Sequence, residues 1–138
     1  KWEENKKNLI TTVGLNHILD TQFHAGTQVT TWYIGLKGAG TPVAADTMAS
    51  HSSWAELTGY SGNRKEWTEG AASSGSMTNS SSVDFTINAT ATIAGAFLNT
   101  AATGTAGVLY GVVDFSSSRA VISGDTLQVT VTVTAASA

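Results

Sequence analysis

The stretch Leu127-Gln128-Val129-Thr130-Val131-Thr132-Val133 alternates apolar residues with Gln or Thr along its whole length. Successive side chains of a strand point to opposite faces, so this period predicts a β-strand with an apolar inner face and a hydroxylated outer face. Residues 83–87, with the sequence VDFTI, have the same period. Both stretches therefore predict half-buried strands.

Strand patterns continue outward through most of the chain. Residues 90–98 and 108–115 are apolar on both faces, which is typical of strands buried between layers. Residues 27–36 are rich in β-branched and aromatic residues and predict another strand. About six to eight short strands favour a mainly β fold, either a β-sandwich or a jelly-roll-like single domain. The residues expected to point inward are Phe85, Ile87, Phe97, Leu127, Val129 and Val131.

A helix is predicted only near the N-terminus, apart from one short turn. Its apolar residues recur at helical spacing, and they are Leu15, Ile18, Leu19 and Phe23, with Leu9, Ile10 and Val13 before them. Asn8 is the expected cap and Gly26 the expected end. Ser53 and Glu56 have the spacing of a capping box, which predicts one helical turn over residues 54–57.

The length of 138 residues suits one domain, because two full cores would need a longer chain. We expect a charged arm and the helix in residues 1–25, and the β-sandwich in residues 26–138. The arm holds five of the 17 charged residues within its first seven positions. It is therefore a candidate contact segment.

The composition argues against several partners and chemistries. A net charge of −3 and a pI of about 5.4 lack the basic footprint of a nucleic-acid-binding protein. No apolar run approaches the roughly 18 residues of a membrane span, so no membrane partner is expected. Cys is absent, which removes disulfides and thiolate chemistry. The 15 Ser, 21 Thr and 14 Gly are typical of strands joined by tight turns.

The residues that could carry catalysis or hold a metal ion are few. His17, Asp20 and His24 are spaced for one helix face, but the last lies at the expected helix end. Glu66 and Glu69 flank Trp67 beside basic residues, so a solvated charged segment explains them more simply than an acid–base pair. No nucleophile elbow or phosphate loop is present. We therefore expect no enzyme activity, no metal and no cofactor.

Five aromatic residues lie within one third of the chain: Trp32, Tyr33, Trp54, Tyr60 and Trp67. Aromatic side chains fill cores, anchor protein interfaces or form platforms for ligands such as sugars. The sequence favours the core for most of them and leaves the other two uses open.

Several segments together resemble a family of small virion proteins of tailed bacteriophages, over about residues 8 to 134. They are TWYIGL (31–36), ADTMASH (45–51) with Trp54, Glu56 and Tyr60, DFTI (84–87), AGAFL (94–98) and GDTL (124–127). This resemblance implies a structural protein of the virion, of the capsid decoration or cement type.

The predicted function is therefore non-enzymatic. We expect a capsid decoration protein that binds and bridges major capsid protein subunits on the capsid exterior, together with copies of itself. The candidate contact residues are Trp2, Lys6, Lys7, Trp54, Tyr60 and Trp67. The alternative is a carbohydrate- or receptor-binding module of a tail fibre or adhesin that uses its Trp and Tyr side chains.

Overall fold

The computed structural model describes residues 9–136, which form ten strands and one helix. The helix is α1 (Thr12–Phe23), and the strands are β1 (Leu9–Ile10), β2 (Trp32–Lys37), β3 (Glu56–Leu57), β4 (Lys65–Trp67), β5 (Ser76–Thr78), β6 (Val83–Thr86), β7 (Ala91–Asn99), β8 (Leu109–Val121), β9 (Thr126–Val129) and β10 (Thr132–Thr134). The prediction of a mainly β fold with one N-terminal helix is confirmed.

A six-stranded antiparallel sheet is the centre of the fold. Its strands follow the order β1-β8-β7-β2-β3, and β4 pairs with the same edge of β2 as β3 does. The long strands β7 and β8 are the two segments whose residues are apolar on both faces. Both faces of the sheet are covered, as that pattern predicts.

Two short antiparallel ribbons, β6–β9 and β5–β10, cover one face of the sheet. Val83, Phe85 and Val129 on the first ribbon are buried in one cluster with Ile34 and Leu98 of the sheet. The apolar residues of the alternating stretch 127–133 thus lie inward as expected, but the stretch forms two strands. At the break between β9 and β10, the Asn79 side chain binds the backbone in place of a neighbouring strand. Its Oδ1 accepts from the Val131 N–H at 2.9 Å and its Nδ2 donates to the Val129 carbonyl at 3.0 Å.

The opposite face of the sheet holds a second, smaller cluster. Phe97, Leu109 and Val112 of the sheet pack there against Met48 and Trp54. Those last two residues belong to the connection between β2 and β3. The six residues predicted to point inward all belong to the two clusters or pack against them, with Phe97 alone on this second face.

Helix α1 begins later than the sequence predicts. Leu9 and Ile10, expected inside the helix, form β1 and pair with Val112 and Gly111. Thr11 is the cap, because its hydroxyl accepts from the Gly14 N–H at 3.0 Å. The helix has 12 residues, and no helix within residues 9–136 is long and apolar enough to cross a membrane.

The helical turn predicted at residues 54–57 is absent, and this prediction is wrong. Glu56 and Leu57 form β3 instead, and their partners on β2 are Lys37 and Leu36. The Trp54 indole donates to Asp46 at 2.9 Å. These tertiary contacts outweigh the local capping signal of Ser53.

Candidate functional site

Helix α1 exposes the apolar stripe that an amphipathic helix normally buries. Leu15 is 48% exposed, Ile18 42%, Leu19 55% and Phe23 80%. We call these four residues the helix stripe. A stripe of this width ordinarily faces a core. On this helix it faces away from the described part of the chain.

The contact between α1 and β8 explains the orientation, because the buried residues there, Thr11 and Gly14, are small. Gly14 is buried against β8, where an added Cβ would clash with the Tyr110 backbone. The buried Thr11 hydroxyl donates to the Leu109 carbonyl, and the Thr12 N–H donates to the Ala44 carbonyl at 2.8 Å. The helix therefore lies close to the sheet through backbone and hydroxyl contacts.

On the second face of the sheet, Lys37 on β2 reaches Asp114 on β8 across the intervening strand. Gly95 on β7 lies in register between them, where an added Cβ would clash with the Val113 backbone on β8. The lysine is fully buried, and its Nζ donates to Asp114 Oδ1 at 2.5 Å and to the carbonyls of Gly38 and Gly40 at 3.0 and 2.5 Å. Three acceptors compensate the buried ammonium, so this pair serves the fold.

A second glycine, Gly35 on β2, makes room for another charged pair. A Cβ there would clash with the ring of Phe97, its neighbour on β7. The guanidinium of Arg64 lies 5.3 Å from the centroid of that ring. Arg64 binds both carboxylate oxygens of Glu56, at 2.8 and 2.6 Å. The arginine is thus fixed by a planar ring and a bidentate ion pair.

A polar cleft of about 200 Å³ opens beside this pair, where residues 58–64 leave the sheet edge between β3 and β4. Loop residues 102–104 form its other wall. Its polar lining is Glu56, Thr58, Tyr60, Asn63, Arg64 and Thr103. Burial first, and then the negative charge of Glu56, raise the pKa of Tyr60 to about 12.

The predicted contact residues lie in different places. Trp54, Tyr60 and Trp67 are 3–5% exposed and fill the core. Trp2, Lys6 and Lys7 lie outside the described residues. The helix stripe was found from the sequence as a helix pattern but not as a contact surface. The signal for its exposure was Gly14, which lets the helix backbone lie directly against β8.

The histidines of α1 do not form a metal site. Among residues 9–136 no three His, Cys, Asp or Glu side chains lie close enough to hold a metal ion. His24 Nδ1 is 3.6 Å from Asp20 Oδ1 on the helix surface. His17 instead contacts the edge of the Trp32 ring, with the centroids 5.6 Å apart.

Comparison with known proteins finds a matching family. The model of a family described as "Podophage GP4 fiber I protein gp80" matches residues 9–136. No curated protein matches the chain. The match covers the whole described fold, including the helix stripe and the cleft.

Proposed function

Since the chain belongs to the podophage GP4 fiber I protein gp80 family, we propose that it works as a subunit of a virion fibre. It is a phage virion structural protein. The family description favours a fibre over capsid decoration, so binding of the major capsid protein on the shell exterior stays an unconfirmed prediction. Gold-labelled antibody on intact particles tests the location. Label at fibres supports the proposal, and label spread over the shell contradicts it.

The observation that carries the proposal is the exposed helix stripe. A subunit that works by protein–protein contact needs an apolar surface that its own fold leaves open. We propose that the stripe joins two copies of the chain. Leu15 and Phe23 each lie four residues from Leu19, one on either side of it. Two antiparallel helices related by a twofold axis at Leu19 would place Leu15 against Phe23 twice.

Charge and area are both compatible with this pairing. The four stripe residues carry no charge, and the twofold arrangement places Asp20 opposite Ile18 rather than opposite its own copy. The stripe exposes on the order of 400 Å² of apolar surface per copy, within the range of functional patches. If apolar surface makes up about two thirds of the contact, two copies bury about 1,200 Å², the lower limit of a stable interface.

The substitution Leu19→Asp tests the contact, because it places two carboxylates together at the proposed axis. We expect sedimentation velocity to show a concentration-dependent dimer of the wild-type chain and a monomer of this variant. Ile122→Asp is the matched control, since Ile122 is 61% exposed on a turn outside α1. It should leave the dimer intact. A wild-type chain that stays monomeric at high concentration, or a dimer that survives Leu19→Asp, contradicts the proposal.

We also propose that the protein turns over no substrate. The support comes from the sequence, in which three scattered His and no Cys leave few groups for catalysis. In the fold, the buried Lys37 and Arg64 each pair with a carboxylate and donate to backbone carbonyls. Hydrolysis of host surface polysaccharide by the purified chain would contradict this proposal.

A further inference from the structure

We propose that the polar cleft between β3 and β4 binds one saccharide unit of a surface glycan. The cleft is lined by Tyr60, Asn63, Arg64 and Thr103, with Glu56 and Thr58 beside them. This inference goes beyond the role of the chain as a fibre subunit. It does not depend on the helix contact, which lies on α1.

The electrostatics of the cleft favour a ligand with hydroxyl groups over a simple anion. The Arg64 guanidinium is compensated by the Glu56 carboxylate, and it also donates to the carbonyls of Ala101 at 2.8 Å and Gly104 at 2.6 Å. The arginine therefore has no free charge for a phosphate. The neighbouring Lys65 ammonium donates to the Ser61 carbonyl at 2.5 Å and lies 5.8 Å from the Tyr60 ring centroid.

The remaining polar groups match the chemistry of a sugar. Thr58, Asn63 and Thr103 are exposed side chains, and their hydroxyl and amide groups donate and accept hydrogen bonds. Sugar hydroxyls also do both. A volume of about 200 Å³ is below that of sites for drug-sized ligands, which suits a single sugar ring.

The walls of the cleft are preformed, which lowers the ordering cost of binding. Arg64 is 5% exposed and ties residues 56, 101 and 104 together. The buried Asn99 supports the opposite wall, since its Nδ2 donates to the carbonyls of Ala101 at 3.3 Å and Ala106 at 3.1 Å. Tyr60 packs edge-on against Phe85, with the centroids 4.8 Å apart. These contacts fix both sides before a ligand arrives.

An NMR titration of the ¹⁵N-labelled chain with separate monosaccharides tests the site. The probes are glucose, galactose, N-acetylglucosamine and galacturonic acid. We expect at least one to shift amide signals of residues 58–64 and 102–104, with a dissociation constant of about 1–10 mM for a single unit. If none of the four shifts these signals, or if the shifts lie elsewhere, the proposal is overturned.

Variants separate this site from the helix contact. Asn63→Ala combined with Thr103→Ala removes two lining polar groups and should weaken binding at least tenfold, whereas exposed Asn88→Ala with Thr90→Ala should not. The first pair should leave sedimentation unchanged, and Leu19→Asp should leave the sugar shifts unchanged. Binding that survives Asn63→Ala with Thr103→Ala overturns the assignment of the cleft, even where the fibre role stands.

Discussion

Truncation of Phe97 to Ala is the sharpest test of how the second face of the sheet is packed. Phe97 is 2% exposed, and its ring contacts Trp54 and the guanidinium of Arg64. A buried Phe→Ala change costs about 3–5 kcal/mol in unfolding free energy. We expect the upper half of that range, because Gly35 beneath the ring has no side chain to fill the cavity.

Urea unfolding followed by Trp fluorescence measures this loss, since the Trp54 and Phe97 ring centroids are 5.4 Å apart. With a slope of about 2 kcal/mol per molar urea, the midpoint should fall by roughly 2 M. Phe23→Ala is the matched control, because the same change at an 80% exposed residue should stay within about 0.5 kcal/mol. Both variants are best made in the Leu19→Asp background, so that self-association adds no stability. A loss below about 1 kcal/mol for Phe97→Ala would refute the packing described here.

Two further predictions concern charged and titratable groups. Asp114→Ala leaves the buried Lys37 ammonium with two backbone carbonyls as its only acceptors. We expect urea unfolding to show a loss of about 3 kcal/mol in unfolding free energy. The control is Asp84→Ala, where the loss should be about 0.5 kcal/mol or less because Asp84 is exposed. An equal, small loss for both would show that the ion pair is dispensable. Because burial raises the pKa of Tyr60 to about 12, the unfolded chain releases that proton first, so stability should fall as the pH rises from 10 through about 12. Tyr60→Phe should flatten that decline in an alkaline unfolding series, and an unchanged slope would contradict the origin given for it.

The strands were predictable where one period dominates. The alternation in residues 127–133 and 83–87 identified the inner faces of β9, β10 and β6, because only one register buries the apolar set. The two-sided apolar segments identified β7 and β8, because a strand covered on both faces needs apolar residues on both. Their partners could not be read from the period, because pairing depends on residues distant in sequence, such as Asn79 at the break between β9 and β10.

The helix shows why the candidate sites were harder to predict. Its period was correct, but a pattern of apolar residues does not say which side the sheet accepts. Gly14 and Thr11 let the backbone approach β8 closely, and that contact orients the helix stripe outward. The cleft depends on Gly35, which leaves space for the Phe97 ring beside the Arg64 guanidinium. Such space is a property of two strands and a loop together, and no single segment of the sequence contains it.

The topology of the ribbons has a consequence for how the chain is synthesised. Thr86 of β6 pairs with Thr126 of β9, so a ribosome must add 40 more residues before that partner exists. At about 5–20 residues per second, this interval is roughly 2–8 seconds. During it the edge of β6 is open to the same strand of a neighbouring nascent chain. Crowded polysomes should therefore increase misassembly of this protein more than that of one whose ribbons close locally.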